Sequence, residues 1–271
     1  MLNHPARPFL KWAGNKFELT EKINKLLPQS KVLIEPFVGS GAVFLNSSYE
    51  KYILSDINHD LINLYIAIQN NGAQFIVDSQ KYFTKKTNTE NCYYKFRSAF
   101  NSSNDKYEKA LLFLYLNRHC YNGLCRYNNS GIFNVPFGKY KSPYFPEHEL
   151  HVFYIKSKHA KFYCESFVKT FKRAKNNTVI YCDPPYIPLS NTSNFISYST
   201  DKFTLEDQVS LANEARNTAQ KGIPVLISNH DTNFSRKIYR GASIKKIDVR
   251  RRISCNASKR DDAKEILALF R

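Results

Sequence analysis

The stretch Thr178-Val-Ile-Tyr-Cys-Asp-Pro-Pro-Tyr-Ile-Pro-Leu189 runs from an apolar, β-prone segment into a carboxylate, two prolines and an aromatic ring. The two prolines lack a backbone N–H and fix φ, so the predicted strand ends at Asp183 and the loop after it is stiff. Asp-Pro-Pro alone would also suit a loop that merely terminates a strand. Because Tyr186 follows, we interpret this corner as an active site.

The residue types at the corner suit one kind of ligand. The carboxylate of Asp183 and the carbonyl of Pro184 can accept both N–H bonds of an exocyclic amine, while the ring of Tyr186 stacks on a planar heterocycle. Holding the amine in this way would free its lone pair from the ring. The sequence therefore predicts a site that binds the amino group of a planar heterocycle.

The length and the net charge of the chain limit which folds and partners are expected. The 271 residues can bury a core, either as one large α/β domain or as one domain with an insertion. Lysine and arginine number 40 against 23 acidic residues, a formal net charge of +17, which predicts a polyanionic partner. No apolar run approaches the roughly 20 residues that span a bilayer, and no signal-peptide core is present. We expect a soluble, cytoplasmic protein with no membrane partner.

The six cysteines show no paired short spacing of the zinc type. We expect free thiols and no bound metal.

A glycine turn precedes a second candidate ligand site. Lys31–Glu35 reads as a strand that feeds Pro36–Phe44, whose pattern is Gly39-x-Gly41 with Phe44 where a dinucleotide fingerprint has its third glycine. A pyrophosphate cradle is therefore not expected. The next predicted strand ends at Asp56, where an acid can bond a ribose diol. Together these features indicate an adenosyl ligand without pyrophosphate.

From His59 to about Tyr144 the composition becomes helical, with an all-round apolar helix over Ala110–Leu116. Asn117–Asn128 and Gly131–Tyr140 are then dense in Asn, Gly, Tyr and Arg. These residues suit contact with nucleic acid, although a turn-rich hairpin with solvated charges is the alternative. His119 has no second ligand pair, so we do not assign it to a metal.

The α/β pattern then resumes. Lys161–Cys164 and Pro224–Ser228 read as strands, and a helix between them opens at Thr204 with a capping box and stops at Gly222. Strand–helix–strand order predicts a parallel sheet. Two final strands, over Ser243–Arg252 and Glu265–Phe270, have no helix between them and are predicted to pair antiparallel at an edge. Near them lies a basic cluster suited to phosphates or simply to solvent: Arg250, Arg251, Arg252, Lys259 and Arg260.

Four motifs, taken in order, resemble the Dam-type DNA adenine N6-methyltransferases, and the likeness covers nearly the whole chain. The motifs are Lys11-Trp-Ala-Gly-Asn-Lys16, Glu35-Pro-Phe-Val-Gly-Ser-Gly41, Asn117–Asn128 and Asp183-Pro-Pro-Tyr186. The family's first motif reads KWAGGK, so Asn15 replaces a glycine here. Asn tolerates positive φ better than most residues.

The resemblance implies an α/β fold: a Rossmann-like S-adenosylmethionine-dependent methyltransferase sheet, mostly parallel with an antiparallel edge strand, plus an inserted, mainly helical DNA-recognition domain. The catalytic domain would comprise residues 1–57 and 145–271, and the target-recognition domain residues 58–144. We expect a monomer.

The same resemblance implies S-adenosyl-L-methionine as methyl donor and adenine N6 in double-stranded GATC as acceptor. The base would be flipped out and methylated by direct in-line transfer without a metal. The implied catalytic residues are Asp183, Pro184 and Tyr186. The implied cofactor-binding residues are Trp12, Lys16, Phe37, Gly39, Gly41, Asp56 and Asp183.

The predicted DNA-binding residues come from three places in the sequence. Arg126 and Lys11 match positions that read guanines, and Tyr121 matches the residue wedged into the base stack. The remaining predicted DNA-binding residues are Asn122, Leu124, Pro136 and, from the basic cluster, Arg251.

Other functions are compatible with parts of the sequence. Cytosine N4- and protein-glutamine methyltransferases share the corner but more often carry Ser or Asn in place of Asp183. A nicotinamide dehydrogenase would need glycine at Phe44, and a non-enzymatic DNA-binding module has no use for the corner. Cys182 as nucleophile would be expected in a Pro-Cys loop rather than in a strand. The sequence does not distinguish mismatch repair, replication timing, gene regulation and phage defence.

Overall fold

In the part of the chain that the structure describes, seven strands form one sheet. The computed structural model describes residues 5–187, 203–249 and 263–271. The strands are β1 (Val32–Glu35), β2 (Lys51–Asp56), β3 (Ala160–Cys164), β4 (Thr178–Cys182), β5 (Val225–His230), β6 (Ser243–Val249) and β7 (Ala263–Phe270). Their order is β3-β2-β1-β4-β5-β7-β6.

The first five strands are parallel, so their carboxyl ends meet at one edge of the sheet. β4 is the middle strand of the seven, and it pairs with β1 on one side and with β5 on the other. In register, Ile34 lies opposite Ile180 and Cys182 lies opposite Ile227. The residues that follow β1, β4 and β5 are therefore neighbours, which is the usual position of a ligand site in such sheets.

The predicted antiparallel pairing at the far side of the sheet is confirmed. β7 runs antiparallel to both β5 and β6, with Leu226 opposite Leu269 and Ile244 opposite Ala268. β7 lies between β5 and β6 although it follows both in the chain.

The helices cover both faces of the sheet. They are α1 (Thr20–Leu26), α2 (Ala42–Asn46), α3 (His59–Gln80), α4 (Glu90–Ser102), α5 (Lys106–His119), α6 (Glu147–Ser157), α7 (Phe167–Phe171), α8 (Leu205–Ala219) and α9 (Asn233–Ile238). Short 3₁₀ helices span Phe17–Leu19 and Tyr121–Gly123. Alternate strand residues enter opposite cores, as Leu33 and Ile34 do, because a strand points successive side chains to opposite faces.

The predicted start of α8 is confirmed. Thr204 accepts a hydrogen bond from the N–H of Asp207, whose carboxylate accepts one from the N–H of Thr204, which completes a capping box. The chain leaves the helix before Gly222, which has a φ of 78°. Leu205 and Val209, which share the apolar pattern of this helix, are exposed, while Leu211 and its neighbours are buried.

The helical insertion is tied to the sheet. α5 is apolar nearly all round and buried, as predicted. α3 packs against α5 but also against α6, β2 and β3. Gly72 kinks α3, and a Cβ there would lie 2.4 Å from the ring of Tyr154. The domain boundaries at residues 58 and 144 stay a prediction. Within the described ranges, no helix is long and apolar enough to cross a membrane.

Candidate active site

Asp183 follows the middle strand, and its two carboxylate oxygens have different surroundings. Oδ1 accepts a hydrogen bond from Ser228 Oγ at 2.7 Å and forms an ion pair with Lys16 Nζ at 3.0 Å. Among the described residues, no donor is bonded to Oδ2. The side chain keeps 19% of its surface exposed. One oxygen is therefore fixed, and the other is available to an incoming N–H group.

The loop after β4 is held by a buried polar cluster. Asn229 accepts the N–H of Ile187 at 3.1 Å and donates to Gln208 Oε1 at 3.0 Å and to Tyr239 at 2.9 Å. Gln208 in turn donates to the carbonyl of Pro185 at 2.6 Å. Asn229 and Tyr239 are fully buried, so these bonds have no competition from solvent. The backbone that carries the predicted catalytic residues is thereby fixed. We call residues 183–187 the catalytic corner.

Tyr186 is anchored from the far side of the sheet. Its hydroxyl donates to Glu265 Oε2 at 2.9 Å, and its ring meets His230 edge-on with centroids 4.7 Å apart. The ammonium of Lys16 lies 4.4 Å from the centroid of the same ring, so Lys16 joins Tyr186 to Asp183. Burial raises the pKa of the Tyr186 hydroxyl, which keeps the group neutral. Pro184 is buried in the corner.

The glycine turn and the end of β2 form the second part of the site. Asp56 accepts the N–H of Gly39 at 3.1 Å and that of Asn58 at 3.0 Å. Burial raises the pKa of Asp56, and these backbone N–H groups oppose the rise. Gly39 has a φ of 46°, and a Cβ there would lie 3.0 Å from Trp12 Nε1. The half-buried indole thus packs directly on the turn, which only glycine permits.

Two aromatic residues of this segment have other surroundings. Phe37, a predicted cofactor residue, stacks on Phe167 with centroids 5.7 Å apart. Phe44 is fully buried and meets Tyr52 edge-on at 4.8 Å, so the position of a third fingerprint glycine is a core residue. The turn itself ends at Gly41, which has a φ of 72°.

The replacement of glycine by Asn15 has a structural explanation. Gly14 takes the left-handed conformation of this turn, with a φ of 72°, and Asn15 is not among the residues with positive φ. The side chain of Asn15 accepts the N–H of Phe17 at 3.1 Å. Asparagine here thus supports the start of the 3₁₀ helix and needs no strained backbone.

Glu35, at the end of β1, was not predicted as a site residue. It is 2% exposed, and its Oε1 has no hydrogen-bond partner within the described part of the chain. Burial and, to a smaller extent, the negative charge of Asp183 raise the pKa of Glu35 to about 8. Lys156 opposes this shift. At neutral pH most molecules therefore carry an uncharged Glu35.

Cys182 does not have the properties of a nucleophile. It is the last residue of β4 and is fully buried. Burial raises the pKa of its thiol well above the ordinary value, and the nearby negative charge of Asp183 adds to this rise. A thiol that stays protonated is a poor nucleophile.

The predicted DNA-binding residues between Tyr121 and Pro136 lie on the helical side, and Lys11 joins that side to the corner. The backbone N–H of Lys11 donates to Asn117 Oδ1 at 2.9 Å, and Asn117 Nδ2 donates to the carbonyl of Lys11 at 2.7 Å. The Lys11 ammonium lies 3.9 Å from the centroid of the Tyr140 ring. Burial, and then the charge of Arg118, lower the pKa of Lys11. The segment 11–16 therefore connects the end of α5 to Asp183.

Residues 121–136, which we call the reading segment, are anchored through their backbone, since Tyr93 and Arg97 donate to the carbonyl of Val135, but several of their side chains are exposed. Tyr121 is 53% exposed, and its N–H donates to the carbonyl of Pro136 at 2.9 Å. Asn122 has a φ of 53° and an exposed side chain. Leu124 is half-buried. Arg126 is held by one neighbour, since its Nε donates to Asn134 Oδ1 at 2.7 Å.

Arg251 and the rest of the predicted basic cluster lie outside the described residues, and so does Cys255. The five described cysteines are free thiols. In the described ranges, no group of three or more His, Cys, Asp and Glu residues could hold a metal ion. His119 stacks on Tyr115 with centroids 3.9 Å apart, and burial lowers its pKa to about 4.

Three residues that shape the site were missed from the sequence: Ser228, Asn229 and Gln208. A signal for two of them was present, because Ser228 and Asn229 end an apolar strand run as Asp183 does. In neighbouring parallel strands such residues meet. Gln208 carries no comparable signal, since its contact depends on how α8 packs on the sheet.

Comparison with known proteins gives one consistent family. Residues 12–253 match the family MethyltransfD12, described as D12 class N6 adenine-specific DNA methyltransferase. The DNA adenine methylase of Escherichia coli strain K12 is 51% identical over 265 residues, which are 98% of this chain and 95% of that protein. The DNA adenine methylase of Haemophilus influenzae is 52% identical over 97% of this chain and 93% of its own length. Among solved structures, the rRNA methyltransferase aviRa from Streptomyces viridochromogenes matches 99% of this chain and 87% of its own at 8% identity, with a TM-score of only 0.42.

Proposed function

Because the chain belongs to the D12 class of N6 adenine-specific DNA methyltransferases, we propose that it methylates the N6 atom of adenine within double-stranded GATC. The methyl donor would be S-adenosyl-L-methionine. The adenine would be flipped out of the duplex and would receive the methyl group directly, without a covalent enzyme intermediate. We place this activity in the cytoplasm, at the nucleoid, and expect the enzyme to act as a monomer.

The arrangement around Asp183 carries this proposal. An adenine amine has two N–H bonds and a lone pair delocalised into the ring. Asp183 Oδ2, which is free of donors among the described residues, can accept one N–H, and the Pro184 carbonyl can accept the other. With both bonds held, the nitrogen lone pair points away from the ring plane, and the amine can act as a nucleophile.

Tyr186 supports the proposal that the base is extruded. Inside a duplex the adenine amine is paired, and extrusion costs a few kcal/mol. A pre-placed aromatic ring offsets part of that cost by stacking on the extruded base. Tyr186 is suited to this role because Glu265 and Lys16 already fix its hydroxyl and its ring. Little ordering of the protein then remains for the moment of binding.

The residues near the glycine turn fit S-adenosyl-L-methionine. The turn brings backbone close to a ligand, its neighbour Asp56 can accept from a ribose diol, and buried Phe44 removes the case for a pyrophosphate site. When bound, the cofactor supplies an electrophilic methyl group on its sulfonium. The residues that would hold it are Trp12, Lys16, Phe37, Gly39, Gly41, Asp56 and Asp183.

The reading segment supports sequence-specific DNA contact. Asn134 orients Arg126 by accepting from its Nε at 2.7 Å and, through the backbone carbonyl, from one terminal amino group at 3.3 Å. Among the described residues no bond holds the other terminal amino group, which can donate to a guanine edge, the commonest specific pairing in the major groove. The exposure of Tyr121 supports its proposed role as a residue that enters the base stack, where aromatic and apolar wedges commonly act. The formal charge of +17 supplies the general attraction to phosphates.

The test is methyl transfer from labelled S-adenosyl-L-methionine to matched duplexes. One duplex contains GATC, and three controls each change one base pair of the site. We expect label on adenine N6, identified by mass spectrometry of the nucleosides, and only in the GATC duplex. A duplex already methylated at both adenines should accept nothing further.

Two results would contradict the proposal in different ways. Label on cytosine N4 would remove the assignment to adenine. Equal label in all four duplexes would leave the chemistry in place but remove GATC specificity. Adding a metal chelator to the assay should not change the rate of methyl transfer.

A further inference from the structure

We propose that Ser228, supported by the hydroxyl of Tyr181, is a positioning residue that sets the orientation of the Asp183 carboxylate for methyl transfer. The inference rests on the proposed function only in taking Asp183 as the group that accepts the amine. It concerns a residue on a different strand, β5, that would not touch the adenine.

The three side chains form a directed chain of hydrogen bonds. Ser228 Oγ lies 2.7 Å from Asp183 Oδ1, 3.2 Å from Tyr181 Oη and 3.2 Å from the carbonyl oxygen of Cys182. A hydroxyl has one proton to donate, and the carboxylate is both its nearest and its only charged acceptor. Tyr181 must then donate to Ser228. Burial raises the pKa of Tyr181 well above the ordinary value, so it remains a donor at every working pH.

This chain decides which oxygen of Asp183 faces the substrate. The terminal torsion of an aspartate side chain has a broad, roughly two-fold profile, so an unheld carboxylate can rotate and exchange its oxygens. Two residues bind Oδ1: Ser228, which lies on the buried strand β5, and Lys16, which lies just before the 3₁₀ helix Phe17–Leu19. Together they prevent that rotation and keep Oδ2 on the open side. Donors that polarise one another along a chain also strengthen the terminal bond.

A purely structural role for Ser228 is the alternative. Its hydroxyl is fully buried and could serve only to satisfy the Cys182 carbonyl and stabilise the pairing of β4 with β5. The two roles differ in one respect. A structural role affects the enzyme whether or not residue 183 has a carboxylate, whereas a positioning role disappears with it.

The experiment compares Ser228→Ala in two backgrounds, the wild type and Asp183→Ala. In the wild type we expect the single-turnover rate at saturating cofactor and DNA to fall about tenfold, the equivalent of one charge-assisted hydrogen bond. Binding of S-adenosylhomocysteine and of duplex should change less than twofold, about the precision of such comparisons. In the Asp183→Ala background the second substitution should leave the residual rate unchanged.

Two further variants test the role of Tyr181 and control for the loss of a buried hydroxyl. Tyr181→Phe should lower the rate by a smaller factor than Ser228→Ala, and the double variant should be no slower than Ser228→Ala alone, because Tyr181 acts only through Ser228. Ser157→Ala removes an equally buried hydroxyl, at the end of α6, that donates to the Tyr154 carbonyl at 2.7 Å and has no bond to Asp183. It serves as the control for losing a buried hydroxyl and should keep the wild-type rate.

The proposal would be overturned by an unchanged rate in Ser228→Ala, by the same fold-loss in both backgrounds, or by a rate loss that follows a lowered thermal midpoint. Failure of the proposed function looks different. If the wild type methylated another acceptor, the ratio of Ser228→Ala to wild type on that acceptor would still test the link to Asp183.

Discussion

The catalytic corner and the reading segment are built on opposite plans. In the corner, the backbone at Pro185 and Ile187 is bonded to buried side chains, and Tyr186 is fixed at its hydroxyl. In the reading segment, Tyr121 is exposed and Arg126 has a single protein partner. The first region is complete before any substrate arrives. The second is anchored through its backbone but leaves the Tyr121 ring and one terminal amino group of Arg126 available for a partner.

This difference follows from what each region is proposed to do. Chemistry on a weak nucleophile benefits from groups that need no reorganisation when the reaction occurs. A side chain that reads a base edge replaces its hydrogen bonds to water with hydrogen bonds to the base. Donors that were already bonded to protein groups could not make those bonds. We therefore expect substitutions in the corner to act on rate or stability, and substitutions in the reading segment to act on discrimination.

The largest expected effect is that of Asp183→Ala on methyl transfer. Loss of one preorganised acceptor in such a site lowers the rate by about 10²–10³, or roughly 3–4 kcal/mol, while DNA binding stays near the wild-type value. Asp183→Asn should be milder, because the amide oxygen still accepts one N–H. Single-turnover rates at saturating cofactor measure this. Equal rates for wild type, Asn and Ala would exclude Asp183 from the mechanism.

Substituting one asparagine in each region should reveal the same contrast in the free energy of unfolding. Asn229→Ala removes the hydrogen-bond partner of the Ile187 N–H, of Gln208 Oε1 and of the Tyr239 hydroxyl, and we expect the free energy of unfolding to fall by about 2–4 kcal/mol. Asn134→Ala, in the half-buried reading segment, should lower it by under about 1 kcal/mol. Urea unfolding of both variants gives the comparison. Similar losses would contradict the contrast between the regions.

We expect Glu35, which is buried at the end of β1, to make the stability of the protein depend on pH. Folding raises the pKa of Glu35 from its usual 4.5 to about 8, so between these values the native state holds a proton that the unfolded chain releases. Native stability conferred by this group is thus complete below pH 4.5 and is lost as pH rises toward 8. Relative to Glu35→Gln, the wild type should lose about 2 kcal/mol between roughly pH 6 and 8.

Urea unfolding at several pH values checks this expectation. Arg126→Ala keeps Glu35 and should follow the wild-type pH dependence. Parallel curves for wild type and Glu35→Gln would show that Glu35 does not carry the effect.

The smallest expected effect on the protein itself is that of Arg126→Ala. It should remove about 1–3 kcal/mol of discrimination at one base pair, with little change in stability. Arg251, predicted as a phosphate contact, should behave differently when neutralised, weakening binding to all sequences and lowering the salt slope by about one unit. Competition binding against single-base-pair variants separates the two. Unchanged discrimination would remove Arg126 from the reading role.

Much of the fold could be predicted because it is written in short, local patterns. The strand that ends at Asp183, the capping box at Thr204 and the buried α5 all follow from periodicity and from residue chemistry within a few positions. Helix α6 was not predicted, and α4 was covered only by the general expectation that the region from His59 to about Tyr144 is helical. Both carry charged or polar residues through much of their length, so their apolar contacts become evident only against α5 and the sheet.

The site was predictable where a motif names the residue, and unpredictable where a contact depends on packing. Asp183 and Tyr186 stand in a motif, but the bond from Gln208 to the Pro185 carbonyl joins residues 23 positions apart and depends on how α8 packs on the sheet. The raised pKa of Glu35 likewise arises from burial, which no local pattern at the end of β1 reveals. Asn15 shows the opposite situation. The sequence departs from the family motif at this position, but the structure of the turn is kept because Gly14 takes the positive φ.

The position of β7 has a consequence for a chain emerging from a ribosome. Because β7 lies between β5 and β6, the edge of β5 stays unpaired after β6 has been synthesised, and such an edge can pair with another chain. β7 also carries Glu265, which holds Tyr186. The Tyr186 hydroxyl therefore gains this anchor only when β7 inserts. A nascent enzyme should consequently hold Tyr186 less firmly, and methylate DNA more slowly, until β7 has entered the sheet, however early its reading segment folds.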